Sequence, residues 1–144
     1  MKGHLLFLAV LGVALIAGCI QTQPQKTAFT LPKEAVKLSE VVPETGERWG
    51  IPKDWPFGPI YLVYQGKVIG IEYMMSENDL ESNPITLPSG EMLGKTFTMS
   101  TMGQMMDHTE LTYMPKGHAG HPIPHYDVHM YFITKEEQSK IKPQ

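Results

Sequence analysis

Residues 125–132 alternate between a mostly polar and an apolar set of side chains, and this alternation predicts a β-strand. Successive side chains on a strand point to opposite faces, so each face of this segment carries one kind of residue. We expect the apolar set to face the core. That set is Tyr126, Val128, Met130 and Phe132, and the polar set is His125, Asp127, His129 and Tyr131.

The rest of the chain favours the same structural class. Residues 60–64 and 67–75 are rich in β-forming residues and are separated by Gln65-Gly66, a hairpin signal. Residues 108–114 are also strand-like, and Thr134 begins a capping-box pattern that predicts a C-terminal helix to about Ile141. We therefore expect a mainly β fold: an antiparallel sheet, sandwich or barrel-like, with short peripheral helices.

The N-terminus has the features of an export signal. Lys2 precedes an apolar run at residues 5–16, which is shorter than the roughly 20 residues of a membrane span. The run ends in Leu15-Ile16-Ala17-Gly18-Cys19, which resembles the lipobox of prokaryotic lipoproteins. That resemblance implies cleavage before Cys19, acylation of Cys19, and a membrane-anchored location facing outside the cytoplasm. An ordinary signal peptide, or an uncleaved anchor with an incidental cysteine, is the alternative.

These features divide the chain into four parts. We predict a signal peptide at residues 1–18, and a lipidated cysteine with a flexible tether at 19–31. A helix and an irregular N-terminal connection follow at 32–55, with Pro32 suited to the first turn of that helix. The β domain is predicted at 56–142 and carries the histidine cluster.

Composition restricts the chemistry that the domain can support. Cys19 is the only cysteine, so once it is acylated the chain has no thiol for a disulfide, a nucleophile or a metal. The formal net charge of −3 and the lack of a basic run argue against a nucleic-acid partner. Any metal must be held by imidazole, carboxylate, thioether or backbone oxygen.

Five of the six histidines fall between residues 108 and 129, and histidine is the commonest metal ligand. A loop at residues 115–124, rich in glycine and proline, is expected to fold over the polar face of the last strand. A site of imidazole and carboxylate ligands suits Zn²⁺ first and Cu²⁺ second. The alternative is a metal-free network of hydrogen bonds among the same side chains. The first candidate ligands are His118, His125 and His129, and the second candidates are Asp127, His108, His121 and Glu110.

One resemblance covers about residues 56–141. Pro115-x-Gly117-His118, followed by Pro124-His125-Tyr126-Asp127-Val128-His129-Met130-Tyr131, resembles the signature of a small family of exported prokaryotic proteins of unknown function. In that family, typified by a Thermus protein under sigma-E stress control, the segment reads Pro-x-Gly-His and then Pro-His-Phe-Asp-Phe-His-Phe-Tyr. The resemblance makes His118, His125, Asp127 and His129 signature positions. It implies an extracytoplasmic, mostly β domain with a tendency to oligomerise, and no established reaction.

Three functions are compatible with these observations. The first is a lipid-anchored binding or stress-related module whose histidine cluster holds a divalent metal. The second is a metal-free structural module that associates with copies of itself. The third is a zinc-type metalloenzyme that uses a metal-bound water, with Glu110 or Asp127 as the candidate base. The expected partners are the lipid membrane, through Cys19, and a second copy of the chain.

Overall fold

The computed structural model describes residues 29–81, 85–86, 88–89, 92–94 and 96–143. The predicted signal peptide, Cys19 and nearly all of the predicted tether lie outside these residues. Within the described ranges, no helix combines the length and the apolar character that a membrane crossing requires.

The fold is built on one open antiparallel sheet of six strands, which confirms the predicted mainly β class. The bounds of these strands are β1 (Val36–Lys37), β2 (Glu47–Gly50), β3 (Ile60–Tyr64), β4 (Lys67–Ser76), β7 (His108–Met114) and β8 (His125–Tyr131). Their spatial order is β1-β2-β3-β4-β8-β7. Strands β5 (Ile85–Thr86) and β6 (Met92–Gly94) pair with each other separately. The described helices are a 3₁₀ turn (Pro52–Asp54), α1 (Glu77–Glu81) and α2 (Lys135–Gln138).

The hairpin between β3 and β4 forms where the sequence predicts it. Gln65 and Gly66 both have positive φ angles, 50° and 74°. A two-residue hairpin turn needs such angles if its twist is to match that of the flanking strands. The turn brings Tyr64 opposite Lys67 and places β4, the longest strand, next to β8. This arrangement sets the neighbours of the polar residues on β8.

Strand β8 lies between β4 and β7, and the register decides which side chains meet. His129 is opposite Glu72 on β4 and opposite Glu110 on β7. Asp127 is opposite Met74 on β4 and Thr112 on β7. Because residues in register share a face of the sheet, two acidic residues lie beside the polar face of β8.

Both faces of the sheet are covered. One face packs the larger apolar cluster, whose buried members are Tyr61, Val63, Ile71, Tyr73, Met75, Val128 and Phe132. Tyr126 and Met130 pack against this cluster, as expected for the apolar side of β8. The opposite face packs the smaller cluster of Leu62, Ile69, Tyr131 and Ile141.

The polar face of β8 is nevertheless the more deeply buried one. His125 and Asp127 are 0% and 2% exposed, whereas Tyr126 and Met130 are only partly buried. The reason is the chain that folds over this face: the 115–124 loop at one end, and at the other the C-terminal segment that brings Ile141 into the smaller cluster. The polar residues are therefore core residues, and their hydrogen bonds must be supplied by the protein or by a ligand.

The predicted helix near the N-terminus is wrong. Residues 33–34 form a turn, and Val36 and Lys37 pair with Gly50 and Trp49 to form β1. The apolar periodicity of this segment is partial, and so short a helix depends on tertiary packing for its stability. Pairing with the free edge of β2 supplies backbone hydrogen bonds instead.

The predicted boundary of the β domain at residue 56 is wrong as well, because β1 and β2 belong to the same sheet as the later strands. The C-terminal helix exists but is shorter than predicted, ending at Gln138. Its capping box is confirmed: Thr134 Oγ1 accepts a hydrogen bond from the Glu137 backbone N–H, while the Glu137 carboxylate accepts one from the Thr134 backbone N–H.

Candidate metal centre

The connection between β7 and β8, residues 115–124, will be called the flap. Its central turn is closed by two backbone hydrogen bonds between His118 and His121, of 3.1 and 3.0 Å. Gly117 has φ +62°, and a Cβ atom there would lie 2.2 Å from the His121 carbonyl oxygen. Only glycine fits this position, and the resulting turn directs His118 back towards β8.

Three side chains converge beneath the flap: His118, His125 and Asp127, the outer triad. His125 Nε2 lies 3.1 Å from Asp127 Oδ1, and His118 Nε2 lies 4.0 Å from Asp127 Oδ2. The two imidazole rings meet edge to face, with centroids 4.8 Å apart. One potential ligand atom from each of the three residues lies within 4.8 Å of the other two.

Backbone carbonyls orient both imidazoles of the outer triad. His125 Nδ1 is 2.7 Å from the Ile123 carbonyl oxygen, and His118 Nδ1 is 3.0 Å from the Ala119 carbonyl oxygen. A carbonyl oxygen can only accept a hydrogen bond, so each Nδ1 carries the proton. In the neutral rings, each Nε2 then has a lone pair directed towards the other members of the triad. This carbonyl contact is the one that commonly fixes the tautomer of a metal-bound histidine.

A second group, the inner triad, consists of Glu72, Asp127 and His129, and all three residues are buried. Arg48 Nε donates a hydrogen bond of 2.6 Å to Glu72 Oε2, and the two residues form a partly buried ion pair. His129 Nε2 is 3.5 Å from the same oxygen but does not satisfy hydrogen-bond geometry. Asp127 belongs to both triads and connects them.

Among the described residues, six buried side-chain polar atoms lack a hydrogen-bond partner, and all six belong to the two triads. The outer triad contains His118 Nε2, His125 Nε2 and Asp127 Oδ1, and the inner triad contains Glu72 Oε1, His129 Nδ1 and His129 Nε2. A buried unsatisfied polar group costs about 1–3 kcal/mol, so such a concentration at one place requires an explanation. Lone pairs that face a carboxylate at such short range repel it unless a cation or proton lies between them.

The electrostatics distinguish the two carboxylates. Burial, together with the nearby charge of Glu72, raises the pKa of Asp127 above its usual range. Burial acts in the same direction on Glu72, but the contact with His129 and the positive charge of Arg48 outweigh it and lower the pKa of Glu72. Glu72 therefore has a permanently charged partner, Arg48, whereas the positive neighbours available to Asp127 among the described residues are imidazoles.

The structure places the other candidate residues around this centre. His121 is buried, and its ring lies 4.6 Å from that of His125 and edge-on to Trp55. Burial and the neighbouring imidazoles of His125 and His118 lower its pKa, so the neutral ring is favoured. His121 is thus adjacent to the outer triad without belonging to either group that could hold an ion.

His108 and Glu110 are engaged with the C-terminal helix instead. His108 Nε2 lies 2.9 Å from Gln138 Oε1, and its Nδ1 lies 2.8 Å from Asp107 Oδ1. Glu110 accepts hydrogen bonds from Lys135 and from Gln138 Nε2. Both were second candidates as ligands, and neither is a member of the two triads.

Two residues of the centre were missed by sequence reasoning, namely Glu72 and Arg48. The available signal was a lone carboxylate in the otherwise apolar run of β4, because an acidic residue is almost never fully buried without a partner. Its meeting with His129 depends on the pairing of β4 with β8, which local patterns do not reveal.

No protein-family model matches this chain, and no curated protein matches it significantly in sequence. Among solved structures, it is similar to that of the hypothetical protein TTHB210 from Thermus thermophilus, with a TM-score of 0.53 and 19% sequence identity. The alignment covers 74% of this chain and 93% of that chain. At this level of identity the likeness shows the mainly β fold alone. Membership of the exported family that the histidine signature resembles stays a prediction.

Proposed function

We propose that this protein is a membrane-anchored extracytoplasmic lipoprotein that binds a divalent metal ion at the outer triad. The ligands are His118 Nε2, His125 Nε2 and a carboxylate oxygen of Asp127. Zinc is the first candidate ion and copper the second. The anchor is the acylated Cys19 that the lipobox-like segment predicts.

The observation that carries the metal site is the direction of the lone pairs. Two imidazoles have their Nδ1 atoms bonded to backbone carbonyls, and their Nε2 atoms face a carboxylate with no donor between them. A hydrogen-bonded network would place a proton donor against each acceptor, whereas a cation accepts all three lone pairs at once. This arrangement favours the metal site over the metal-free network.

The donor set determines the class of ion. Two imidazole nitrogens and one carboxylate oxygen form a set that zinc uses in proteins, and copper, iron and nickel also accept imidazole. Three protein ligands leave a position open for water or another ligand. The catalytic alternative, a base acting on that water, is weakened for Glu110, whose two oxygens already accept hydrogen bonds from α2.

The ligands come from two parts of the fold. Asp127 and His125 belong to the central strand β8, and His118 belongs to the flap. A bound ion would therefore tie the flap to the sheet, in addition to neutralising a buried carboxylate. Both effects stabilise the native state, because the ligand atoms converge only in the folded chain.

Zinc titration of the purified protein tests this proposal. At a free zinc concentration of about 100 times Kd, the native state gains about 2.7 kcal/mol, which raises the melting temperature by several degrees. The His125→Gln variant is expected to lose this gain. His108→Gln is the matched control, because it removes an imidazole of the same window that is bonded to Asp107 and Gln138 outside the triads.

Isothermal calorimetry and elemental analysis complete the test. Wild type and His108→Gln should retain one tightly bound zinc after gel filtration, and His125→Gln should lose it. Equal melting temperatures with and without zinc, copper and nickel, together with metal-free protein, would overturn the proposal. That result would leave the metal-free structural module as the better description.

A further inference from the structure

An ion at the outer triad accounts for only half of the unpartnered atoms found in the described part of the chain. It would take the lone pairs of His118 and His125 and one carboxylate position of Asp127. Glu72 Oε1 and both ring nitrogens of His129 would remain buried without partners. His129 is 7% exposed and Glu72 is 0% exposed, so bulk water has little access to these atoms.

We infer that the inner triad of Glu72, Asp127 and His129 is a second divalent-cation site, and that Asp127 bridges the two ions. This inference rests on the proposed function, because the second site shares a ligand with the first. It makes the centre dinuclear, with one ion held mainly by imidazole and the other mainly by carboxylate.

The geometry supports a shared carboxylate. In the inner triad, one ligand atom from each residue lies within 4.8 Å of the other two, as in the outer triad. A carboxylate has two oxygens and about four lone-pair sites, so Asp127 can serve two ions at once. Ions in two-metal protein sites are about 3.5–4 Å apart, a spacing that one bridging carboxylate spans.

Charge sets the order of loading. Arg48 is fixed on Glu72 Oε2 and leaves Oε1 as the free oxygen. A cation in the inner triad meets the positive charge of Arg48, and it also meets the first ion once the outer triad is loaded. The inner site should therefore bind more weakly and fill second. Its two carboxylates and one imidazole suit Zn²⁺ or Mn²⁺.

Metal stoichiometry tests the inference. Calorimetric titration of the wild-type protein with Zn²⁺ should show two steps and a total of two equivalents, the second step at least about tenfold weaker. His129→Gln should retain the first step and lose the second. His108→Gln, the control outside the triads, should retain both, and circular dichroism should show that each variant is folded.

The outcomes separate this inference from the proposed function. If the wild-type protein binds one equivalent of zinc and His129→Gln still binds it, the second site is overturned and the outer site stands. If the wild-type protein binds one equivalent of zinc and both His125→Gln and His129→Gln lose it, a single ion is shared by both triads. That result also overturns the second site. No binding at all overturns the outer site as well.

Electron paramagnetic resonance of the wild-type protein loaded with Mn²⁺ provides a readout that needs no variant. Two Mn²⁺ ions that share Asp127 are magnetically coupled, so the six-line spectrum of isolated ions should broaden and weaken on the second equivalent. An unperturbed six-line spectrum whose intensity doubles between one and two equivalents would contradict the bridge.

Discussion

At the scale of single residues, two carboxylates on one face of the sheet have opposite surroundings. Glu72 is paired with Arg48 at 2.6 Å, and the pKa of Glu72 is lowered. Asp127 has imidazole nitrogens around it, but no donor with satisfactory geometry reaches its Oδ1 atom, and its pKa is raised. The protein stabilises the charge of Glu72 with an arginine and provides no such partner for Asp127 among the described residues.

The Asp127→Asn variant should therefore separate stability from metal binding. Without metal at pH 7, we expect the variant to be more stable than wild type by about 1–3 kcal/mol, because it removes a buried charge whose neighbours are imidazoles, with no lysine or arginine paired to it among the described residues. The same change should abolish zinc stabilisation. Thermal unfolding with EDTA and with zinc measures both effects, and Asp107→Asn, outside the triads, is the control.

The pH dependence of the metal-free protein has a definite sign. A raised pKa means that folded Asp127 holds its proton more tightly than the unfolded chain, whose value is near 3.8. Its contribution to stability is then complete below that value and is lost as the pH rises through the folded pKa. The stability of the Asp127→Asn variant should not fall over this pH range, because the variant has no carboxyl group to ionise at this position. A variant less stable than wild type at neutral pH in EDTA would contradict the reasoning.

Residue patterns predict which side chains of β8 share a face, because side-chain direction on a strand depends only on its period of two. The row of His125, Asp127 and His129 follows from this alone. Whether those residues are solvated or buried does not follow. The same alternation fits a half-exposed strand, and the flap and C-terminal segment make the polar face a buried one.

At the scale of elements, the flap is the part on which the outer triad depends. It supplies His118, and its carbonyl at Ile123 orients His125. The backbone turns sharply at Gly117, where a side chain would meet both His121 and Ile123 within 2.7 Å. A change at this glycine should therefore act on the proposed metal site from a distance.

We expect Gly117→Ala to lower stability by about 1–3 kcal/mol, through the strained φ and the close contact with the His121 carbonyl oxygen. Zinc affinity should fall about tenfold or more, because His118 is displaced. Gly103→Ala is the matched control. Gly103 has φ +77° but nothing within 4 Å of its added Cβ, so it tests the backbone strain alone.

Calorimetry and thermal unfolding of both variants decide this prediction. Gly103→Ala should lower the melting temperature slightly and leave zinc affinity unchanged. Equal zinc affinity in Gly117→Ala and wild type would show that the flap geometry does not position a ligand. In that case the outer triad would lose its third member.

Elements with strong local signals form as predicted, and weakly specified ones do not. The Gln65-Gly66 turn and the Thr134 capping box act within a few residues, so their structures depend little on the rest of the chain. The segment at residues 32–42 has no such local determinant. Its choice between helix and strand depends on the free edge of β2, which exists only after the sheet has formed.

At the scale of the whole molecule, the sheet holds apolar packing on one face and the polar centre with a smaller apolar cluster on the other. The centre lies near one end of β8, beneath the flap, and the C-terminal segment covers the other end. Arg48 pairs with Glu72 of the inner triad and so brings a positive charge to the edge of this centre.

The predicted anchor concerns the whole protein in its cell. Cys19→Ser should move the protein from the membrane fraction to the soluble fraction, because it removes the acylation site; stable anchoring requires two or more acyl chains. Metabolic labelling with a radioactive fatty acid and fractionation of the host cells measure this. Ser39→Ala, a change within the folded domain, is the control. Fatty-acid label that persists in Cys19→Ser would contradict lipidation at this residue.

Local composition and periodicity were sufficient to predict the mainly β class, the last strand, its polar row and the loop above it, because these depend on side-chain alternation and turn residues near one another in the chain. The tertiary structure decided that Glu72 and Arg48 join the centre, that His108 and Glu110 turn to α2, and that three of the histidines divide between two triads. Those outcomes depend on strand register and on what covers each face, and both arise from contacts between residues far apart in sequence.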